Sequence, residues 1–198
     1  RSWNVVAGRD DICSHRDVTE YEYSSCRLTN QTSICNAGTC YDDVKFHSDL
    51  YALLRRELCI DEERVFMSGG SFGGLFSYYA PPRLRRLGSP LRPRAILPWY
   101  GAFYRHTLDV PKSLAGTSVF HFHGIMDTEV PMNSSESGDG YYYVPTIETL
   151  ARYAQVNDCD RRPTPIFNKH DGHGKVKTGR LRGCVEWLGC SPRAPGGV

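Results

Sequence analysis

The stretch that decides the fold reads Arg64-Val65-Phe66-Met67-Ser68-Gly69-Gly70-Ser71-Phe72-Gly73-Gly74-Leu75-Phe76-Ser77-Tyr78-Tyr79-Ala80. The apolar run over residues 64–68 is typical of a short buried strand. The run from Leu75 to Ala80 predicts a helix, which we expect to end at Pro81 and Pro82 because proline interrupts helices. This stretch therefore predicts a strand, a tight glycine-rich turn and a helix, in that order.

The turn matches the pattern G-x-S-x-G, with Gly69, Ser71 and Gly73 in the fixed positions. That pattern is typical of a nucleophile elbow, a strained turn that presents a serine hydroxyl above the edge of a sheet. A glycine-rich loop that merely contains a serine is the alternative. The strand before and the helix after favour Ser71 as a nucleophile, with the backbone N–H of Phe72 as an oxyanion-hole donor.

The segments around the elbow carry two helix patterns. Apolar residues at helical spacing predict an amphipathic helix from Asp42 to about Cys59. Its apolar positions are Phe46, Leu50, Leu53, Leu54 and Leu58. A second helix is predicted over residues 146–156, with apolar positions Ile147, Leu150, Ala151 and Ala154. We expect both sets of side chains to face the core.

Two further segments, residues 95–100 and 118–123, are typical of strands. Strands that alternate with helices predict an α/β fold, with a mostly parallel sheet and helices on both of its faces. Aromatic residues near the elbow, Phe72, Trp99 and Tyr100, could line an acyl pocket or belong to the core, and we favour the core.

A carboxylate follows the second of these strands. Asp127 lies in the loop after it, and active sites of open α/β sheets lie at the carboxyl ends of the strands. Asp127 is therefore the candidate acid that orients a catalytic histidine, although an aspartate that closes a turn is the alternative. We interpret His121 and His123 as packing residues, since no acidic or Cys partner at metal spacing accompanies them.

The base must follow the nucleophile and the acid if the usual chain order holds. His170 and His173 are the histidines after Asp127, and His173 has a glycine on each side, as a side chain reaching from a loop would need. We predict His173 as the base. His170 and a solvated loop that supplies no base remain the alternatives.

Composition bounds the class of protein. The chain has 198 residues and a formal net charge of +2, from 24 basic and 22 acidic side chains, which is ordinary for one globular domain. That balance gives no reason to expect nucleic acid or an anionic membrane as a partner. The apolar stretches also fall far short of the roughly 20 residues that a membrane-spanning helix needs.

Cysteine usage points to an oxidising compartment. Eight cysteines without CxxC pairs predict disulfides and a secreted, extracellular protein. The length and composition predict a single domain over residues 1–198, in which residues 1–41 have no sustained periodicity. Within it, residues 1–41 form a Cys-rich, disulfide-tied segment and residues 42–198 form the core that carries the elbow.

Several motifs of this chain occur together in one known family. They are Asp42-Asp43-Val44-Lys45-Phe46, Cys59-Ile60-Asp61, Arg64-Val65-Phe66, the turn from Gly69 to Gly74, and Phe120-His121-Phe122-His123-Gly124 with Asp127 and Val130-Pro131. Together they resemble the secreted feruloyl esterase and poly(3-hydroxybutyrate) depolymerase family of α/β hydrolases. The resemblance begins at Trp3-Asn4 and continues through residues 157–160 to Cys184 and Cys190, so it covers nearly the whole chain.

The resemblance implies a serine carboxylic ester hydrolase with an α/β-hydrolase-like fold, in which Ser71 is the nucleophile and Asp127 the acid. It implies no metal and no cofactor, and a disulfide from Cys159 to Cys184 or Cys190. We expect a monomer that acts on ester-substituted plant polysaccharide, in the manner of a feruloyl esterase. Poly(3-hydroxybutyrate) and acetyl-xylan esters are alternative substrates.

Two parts of the family's pattern are missing from this chain. The family has a strand ending in a His-Gly type turn before the Trp-Asn region, and its catalytic His follows the Cys pair, whereas residues 191–198 contain no His. We therefore expect the hydrolase fold to be incomplete, as an interior portion of a longer protein would be. A compact divergent member and a catalytically inactive, esterase-like secreted binding domain are the alternatives.

Overall fold

The structure is a computed structural model that describes residues 3, 5, 41–105, 107–133, 135–138, 140–168 and 179–191. For residues 167, 168 and 179–183 it describes the backbone. Residues 6–40 of the predicted Cys-rich segment, and both His170 and His173, lie outside the described residues.

The structure is a mixed α/β fold, as predicted. In chain order its elements are α1 (Asp43–Glu57), β1 (Phe66–Gly70), α2 (Phe72–Arg86), β2 (Ala95–Trp99), β3 (Ser118–Val119), α3 (Thr146–Val156), β4 (Thr164–Asn168) and β5 (Gly179–Glu186). Short 3-10 helices cover Glu62–Arg64 and Lys112–Leu114. The predicted order of strand, turn and helix around Ser71 is confirmed.

The central sheet is parallel and has the strand order β1-β2-β3. Gly70 pairs with Trp99 at the carboxyl end of the first two strands, and an isolated parallel bridge joins Trp99 to Phe122 beyond the end of β3. The three strands therefore end at one edge of the sheet, and Ser71, Tyr100 and His123 follow directly.

The helices cover one face of this sheet. Helix α2 packs on β1 and β2, α3 packs near β3, and Ile96 is fully buried between them. Aromatic side chains on the opposite face are exposed, and they are Phe66, Trp99, Phe120 and Phe122. The prediction of helices on both faces is thus wrong for the described residues, because α1 packs against α2 and does not contact the second face.

Helix α1 begins where predicted but turns a different side to the core. The Asp42 carboxylate caps it by accepting a hydrogen bond from the Lys45 amide at 2.8 Å. Its buried residues are Ser48 and Tyr51, and the Ser48 hydroxyl accepts a hydrogen bond from Ser89 at 2.6 Å. Most of the apolar positions expected to be buried are instead exposed, and they are Phe46, Leu50, Leu53 and Leu58.

Helix α2 continues through Pro81 and Pro82 and ends at Arg86, so the predicted stop at the prolines is wrong. Each proline removes a backbone donor from the helix. Both prolines are almost fully buried, as are Ala80 and Leu84 beside them. Core packing along this face therefore offsets the lost hydrogen bonds.

Helix α3 has the predicted bounds, but its buried face differs from the predicted one. Thr149, Tyr153, Ala154 and Val156 are buried, whereas Ile147 is exposed. The ring of Tyr153 packs 6.0 Å from that of Tyr78 on α2, centroid to centroid. The contact between α3 and α2 is therefore made by the ring of Tyr153, and not by the aliphatic side chains that the spacing predicted.

A disulfide closes the far end of the chain. Strands β4 and β5 pair antiparallel, and Cys159 after α3 is bonded to Cys190 after β5. The pairing expected from the resemblance is confirmed for Cys190, whereas Cys184 and Cys59 are exposed free thiols. Among the described helices, none has the length and apolar character to cross a bilayer.

Candidate active site

Ser71 occupies a strained turn between β1 and α2. Its backbone has φ 52° and ψ −122°, a conformation that non-glycine residues adopt at a cost of about 1–3 kcal/mol. Hydrogen bonds on both sides hold it there: its amide donates to the Trp99 carbonyl at 3.1 Å, and its carbonyl accepts from the Leu75 amide at 2.9 Å. The side chain is exposed and does not cap α2, so the hydroxyl is available.

Two close backbone approaches make this turn possible. A Cβ atom on Gly69 would lie 2.5 Å from the backbone of Gly73, and one on Gly74 would lie 2.6 Å from the Trp99 carbonyl oxygen. At Gly73, however, a Cβ atom would meet only the Trp3 indole nitrogen, at 3.7 Å. The turn therefore requires glycine at 69 and 74, whereas the space at 73 admits a methyl group.

The start of α2 places backbone amides beside Ser71. Phe72 is the first residue of the helix, and the first amides of a helix have no intrahelical acceptor. These amides carry the partial positive charge of the helix N-terminus, which stabilises an anion beside Ser71. Because the donor is a backbone group, the partly buried Phe72 side chain does not affect it.

A cleft of about 350 Å³ lies beside the elbow. It is lined by the turn residues from Met67 to Gly73 together with Trp3, His47, Phe76 and Ser77. The ring of Trp3 stacks on Phe76 at 5.2 Å between centroids. The cleft thus combines aromatic walls with the hydroxyl of Ser71 at its rim.

His47 on α1, which no sequence motif marked, lines the same cleft. Its Nδ1 atom lies 2.7 Å from the Asp43 carbonyl oxygen, so Nδ1 carries the proton and Nε2 is the unprotonated nitrogen of the neutral ring. Its ring packs 4.9 Å from both Trp3 and Phe76. The base was expected to follow Ser71 and Asp127 in the chain. His47 precedes both, so that order did not mark it as a candidate.

Asp127 lies at the same sheet edge as Ser71, since it follows the strand that flanks β2 on the other side. Its Oδ1 atom accepts hydrogen bonds from the amides of Glu129 and Val130, both at 2.9 Å. One carboxylate oxygen therefore closes a turn, as the alternative interpretation expected. The other, Oδ2, makes no hydrogen bond within the described part of the chain and lies 3.6 Å from Nε2 of His123.

His121 and His123 are half-buried packing residues, and a hydrogen bond joins their rings. Nε2 of His121 lies 2.9 Å from Nδ1 of His123, and Nε2 of His123 lies 2.6 Å from the Val130 carbonyl oxygen. Nδ1 of His121 lies 2.9 Å from the Tyr78 hydroxyl. Because both nitrogens of each ring are engaged, neither histidine is free to act as the base.

Burial also sets the protonation state of His121. Desolvation, and to a smaller extent the neighbouring His123, lower the pKa of His121 from 6.5 to about 4. His121 is therefore neutral near pH 7.

Two aromatic residues next to the elbow are exposed. Trp99 and Tyr100 are 43% and 45% exposed, so the expectation that they belong to the core is wrong. Trp99 stacks on Phe122 at 4.6 Å between ring centroids. Tyr100 has a positive φ of 40°, and its hydroxyl packs against Gly70, next to Ser71. They form an aromatic surface at the edge where β1 and β2 end.

The described residues contain no group of three or more His, Cys, Asp or Glu side chains placed to hold a metal ion. No protein-family model matches this chain, and no curated protein matches it either. The likeness to the feruloyl esterase and depolymerase family therefore stays a prediction, as do the catalytic roles of Ser71, Asp127 and His173.

Proposed function

We propose that this protein is a secreted serine hydrolase of carboxylic esters, in which Ser71 forms an acyl-enzyme. The observation that carries the proposal is the backbone of Ser71, held at φ 52° and ψ −122° between a parallel strand and a helix, with its hydroxyl exposed. Strain of this kind persists where the surrounding structure holds it, and it is common at functional sites. A solvated surface serine needs none of it.

The chemistry follows from the groups around Ser71. A histidine removes the Oγ proton as Oγ bonds to the ester carbonyl carbon, and the resulting oxyanion accepts a hydrogen bond from the Phe72 amide. The protonated histidine gives its proton to the leaving alcohol as the C–O bond breaks. Water then attacks the acyl-enzyme with the same base, which releases the acid and restores the Ser71 hydroxyl.

Asp127 has the features of the orienting acid. Its Oδ1 atom is fixed by the amides of Glu129 and Val130, whereas Oδ2 makes no such bond within the described ranges. A carboxylate held at one oxygen can accept an imidazole N–H at the other, which fixes the tautomer of the base and stabilises its charged form.

We propose His173 as the base, with His47 as the competing candidate because it lines the cleft beside Ser71. The two are separated by substitution. His173→Ala is expected to lower kcat by several orders of magnitude, and His47→Ala is expected to change it little. The opposite result would assign the base to His47, and loss in His170→Ala alone would assign it to His170.

The proposed substrates are esters with an aromatic acyl group, as in feruloylated plant polysaccharide. The exposed rings of Trp99 and Tyr100 beside the elbow support this choice, because aromatic surfaces stack favourably with a planar acyl group. The disulfide from Cys159 to Cys190 supports an extracellular location. Acetyl-xylan and poly(3-hydroxybutyrate) esters are the comparison substrates.

The test is turnover of p-nitrophenyl acetate and methyl ferulate by the full chain. We expect hydrolysis of both and its loss in Ser71→Ala. Ser113→Ala is the matched control, because Ser113 is an exposed serine that does not line the cleft. Equal activity of the wild type and Ser71→Ala would overturn the proposal.

A catalytically inactive polysaccharide-binding domain is the second candidate. The exposed stack of Trp99 on Phe122 favours it, because sugar rings bind flat aromatic surfaces. This candidate predicts no turnover of either ester, together with binding to arabinoxylan that is lost in Trp99→Ala. Turnover that depends on Ser71 would exclude it.

A further inference from the structure

A row of hydrogen bonds runs from α2 to the loop of Asp127. It links the Tyr78 hydroxyl to His121, His121 to His123, and His123 to the Val130 carbonyl, at distances of 2.9, 2.9 and 2.6 Å. Tyr78 is 1% exposed, and so is the side chain of His123. Buried polar groups that bond only to one another hold a fixed geometry, because breaking any bond leaves an unsatisfied group.

The carbonyl at the end of the row sets the direction of the hydrogen bond next to it. A carbonyl only accepts, so Nε2 of His123 carries a proton and donates to Val130. When the His123 ring is neutral, its Nδ1 has no proton and accepts a hydrogen bond from Nε2 of His121. By the same reasoning Nδ1 of His121 accepts from the Tyr78 hydroxyl, and burial raises the pKa of Tyr78 well above its usual value, which keeps that donor protonated.

The row meets Asp127 through one residue. Val130 donates its amide to Oδ1 of Asp127 at 2.9 Å and offers its carbonyl to His123 at 2.6 Å. The position of Val130, and with it that of Oδ1, therefore depends on His123. The opposite end of the row is anchored in the core by Tyr78, whose ring packs against Phe103 at 5.3 Å.

We propose that His123, oriented by His121 and Tyr78, is a positioning residue that holds the Asp127 carboxylate at the sheet edge through the carbonyl of Val130. The inference rests on the proposed function, since it assigns Asp127 the part of orienting acid. It goes beyond that function by giving the buried histidines a structural task in catalysis. Neither histidine contacts the ester or exchanges a proton with Ser71.

The first test does not depend on activity. In ¹⁵N NMR of the full chain at pH 7 we expect a proton on Nε2 of each ring and none on Nδ1. Hydrogen exchange should find the Val130 amide protected in the wild type and in His123→Gln, whose side-chain amide can still donate, but at least about tenfold less protected in His123→Leu. A proton on Nδ1 of either ring, or unchanged protection in His123→Leu, would overturn the inference.

The second test is kinetic. His123→Leu is expected to lower kcat about 10- to 100-fold with KM within about twofold, because a misplaced acid weakens orientation of the base more than binding. His123→Gln should keep part of the kcat that His123→Leu loses, because its amide can still donate to the Val130 carbonyl. An unchanged kcat in His123→Leu would overturn the inference. A wild type without esterase activity would overturn the proposed function, and the hydrogen-exchange test would then decide whether His123 positions Asp127.

The far end of the row has a matched control. Tyr78→Phe removes the hydroxyl that donates to His121, and Tyr153→Phe removes a buried hydroxyl close by that has no hydrogen-bond partner among the described residues. We expect Tyr78→Phe to shift the His121 nitrogen resonances and lower kcat severalfold. Tyr153→Phe should do neither. Equal effects of the two variants would show that the Tyr78 hydroxyl does not orient His121.

Discussion

A Cβ atom on Gly69 would lie 2.5 Å from both the carbonyl carbon and the carbonyl oxygen of Gly73. Both partners are backbone atoms of the elbow, so they cannot rotate away as a side chain would. We expect Gly69→Ala to lower the free energy of unfolding by about 1–3 kcal/mol. Urea unfolding measures this effect, and ester hydrolysis should fall with it because the turn carries Ser71.

Gly73→Ala is the matched control for this substitution. Only the Trp3 indole nitrogen lies near the added methyl group, at 3.7 Å, and alanine favours a helix over glycine by up to about 1 kcal/mol. The variant should be as stable as the wild type or more stable. Destabilisation of Gly73→Ala as large as that of Gly69→Ala would contradict the packing described for the elbow.

The disulfide from Cys159 to Cys190 closes a loop with a sequence separation of 31. Replacing both cysteines by serine should lower the free energy of unfolding by about 3–4 kcal/mol, the loss of loop-closure entropy expected for that length. Cys184→Ser, at an exposed free thiol, should change stability by no more than about 0.5 kcal/mol. Equal effects at the two places would argue against the pairing.

Local patterns predicted the elbow and the elements beside it. The strand before Ser71 and the helix after it follow from one continuous stretch of sequence, and the parallel sheet follows from alternation along the chain. Both patterns depend on neighbouring residues, which is the information that a single sequence carries best. The position of Asp127 at the sheet edge was predicted on the same basis, because it follows a strand.

The buried faces could not be predicted in the same way. The spacing of the leucines predicted which side of α1 faces the core. The helix instead lies against α2 through Ser48 and Tyr51, a contact that depends on tertiary packing. The passage of α2 through Pro81 likewise depends on the surrounding core. His47 lies on a different helix from Ser71, so no local pattern linked it to the elbow. The bond from His123 to Val130 lies in a loop that has no sequence pattern, so it could not be predicted either.

His121 should make stability depend on pH. Its pKa is about 4 in the folded protein, against 6.5 for an ordinary histidine, because it is desolvated and faces His123. Between these values the unfolded chain binds a proton that the folded chain does not, so stability rises with pH across that window and is lost as the pH falls. The contribution between pH 8 and pH 5 is about 2 kcal/mol.

The measurement is urea unfolding at pH 8 and pH 5, compared with His121→Gln. The variant should lose less stability than the wild type on going to pH 5, because glutamine does not titrate. Identical losses in both proteins would mean that His121 takes up its proton equally in the folded and unfolded chains.

Asp127→Asn should separate the two tasks of this side chain. Asparagine keeps an oxygen that can accept the amides of Glu129 and Val130, so the turn and the stability of the protein should remain. The charge that orients and stabilises the base is lost, and kcat should fall about 10²- to 10⁴-fold. Glu129→Gln, at an exposed carboxylate in the same turn, is the control and should retain activity.

If Ser71 is a nucleophile, a reagent that bonds covalently to activated serines labels it. The full chain is incubated with a fluorophosphonate, digested, and analysed by mass spectrometry for the modified peptide. We predict one adduct, on Ser71, that forms in Ser113→Ala and is absent from Ser71→Ala. A folded wild-type chain that takes up no label, or takes it up equally on Ser113 and Ser71, would contradict the account.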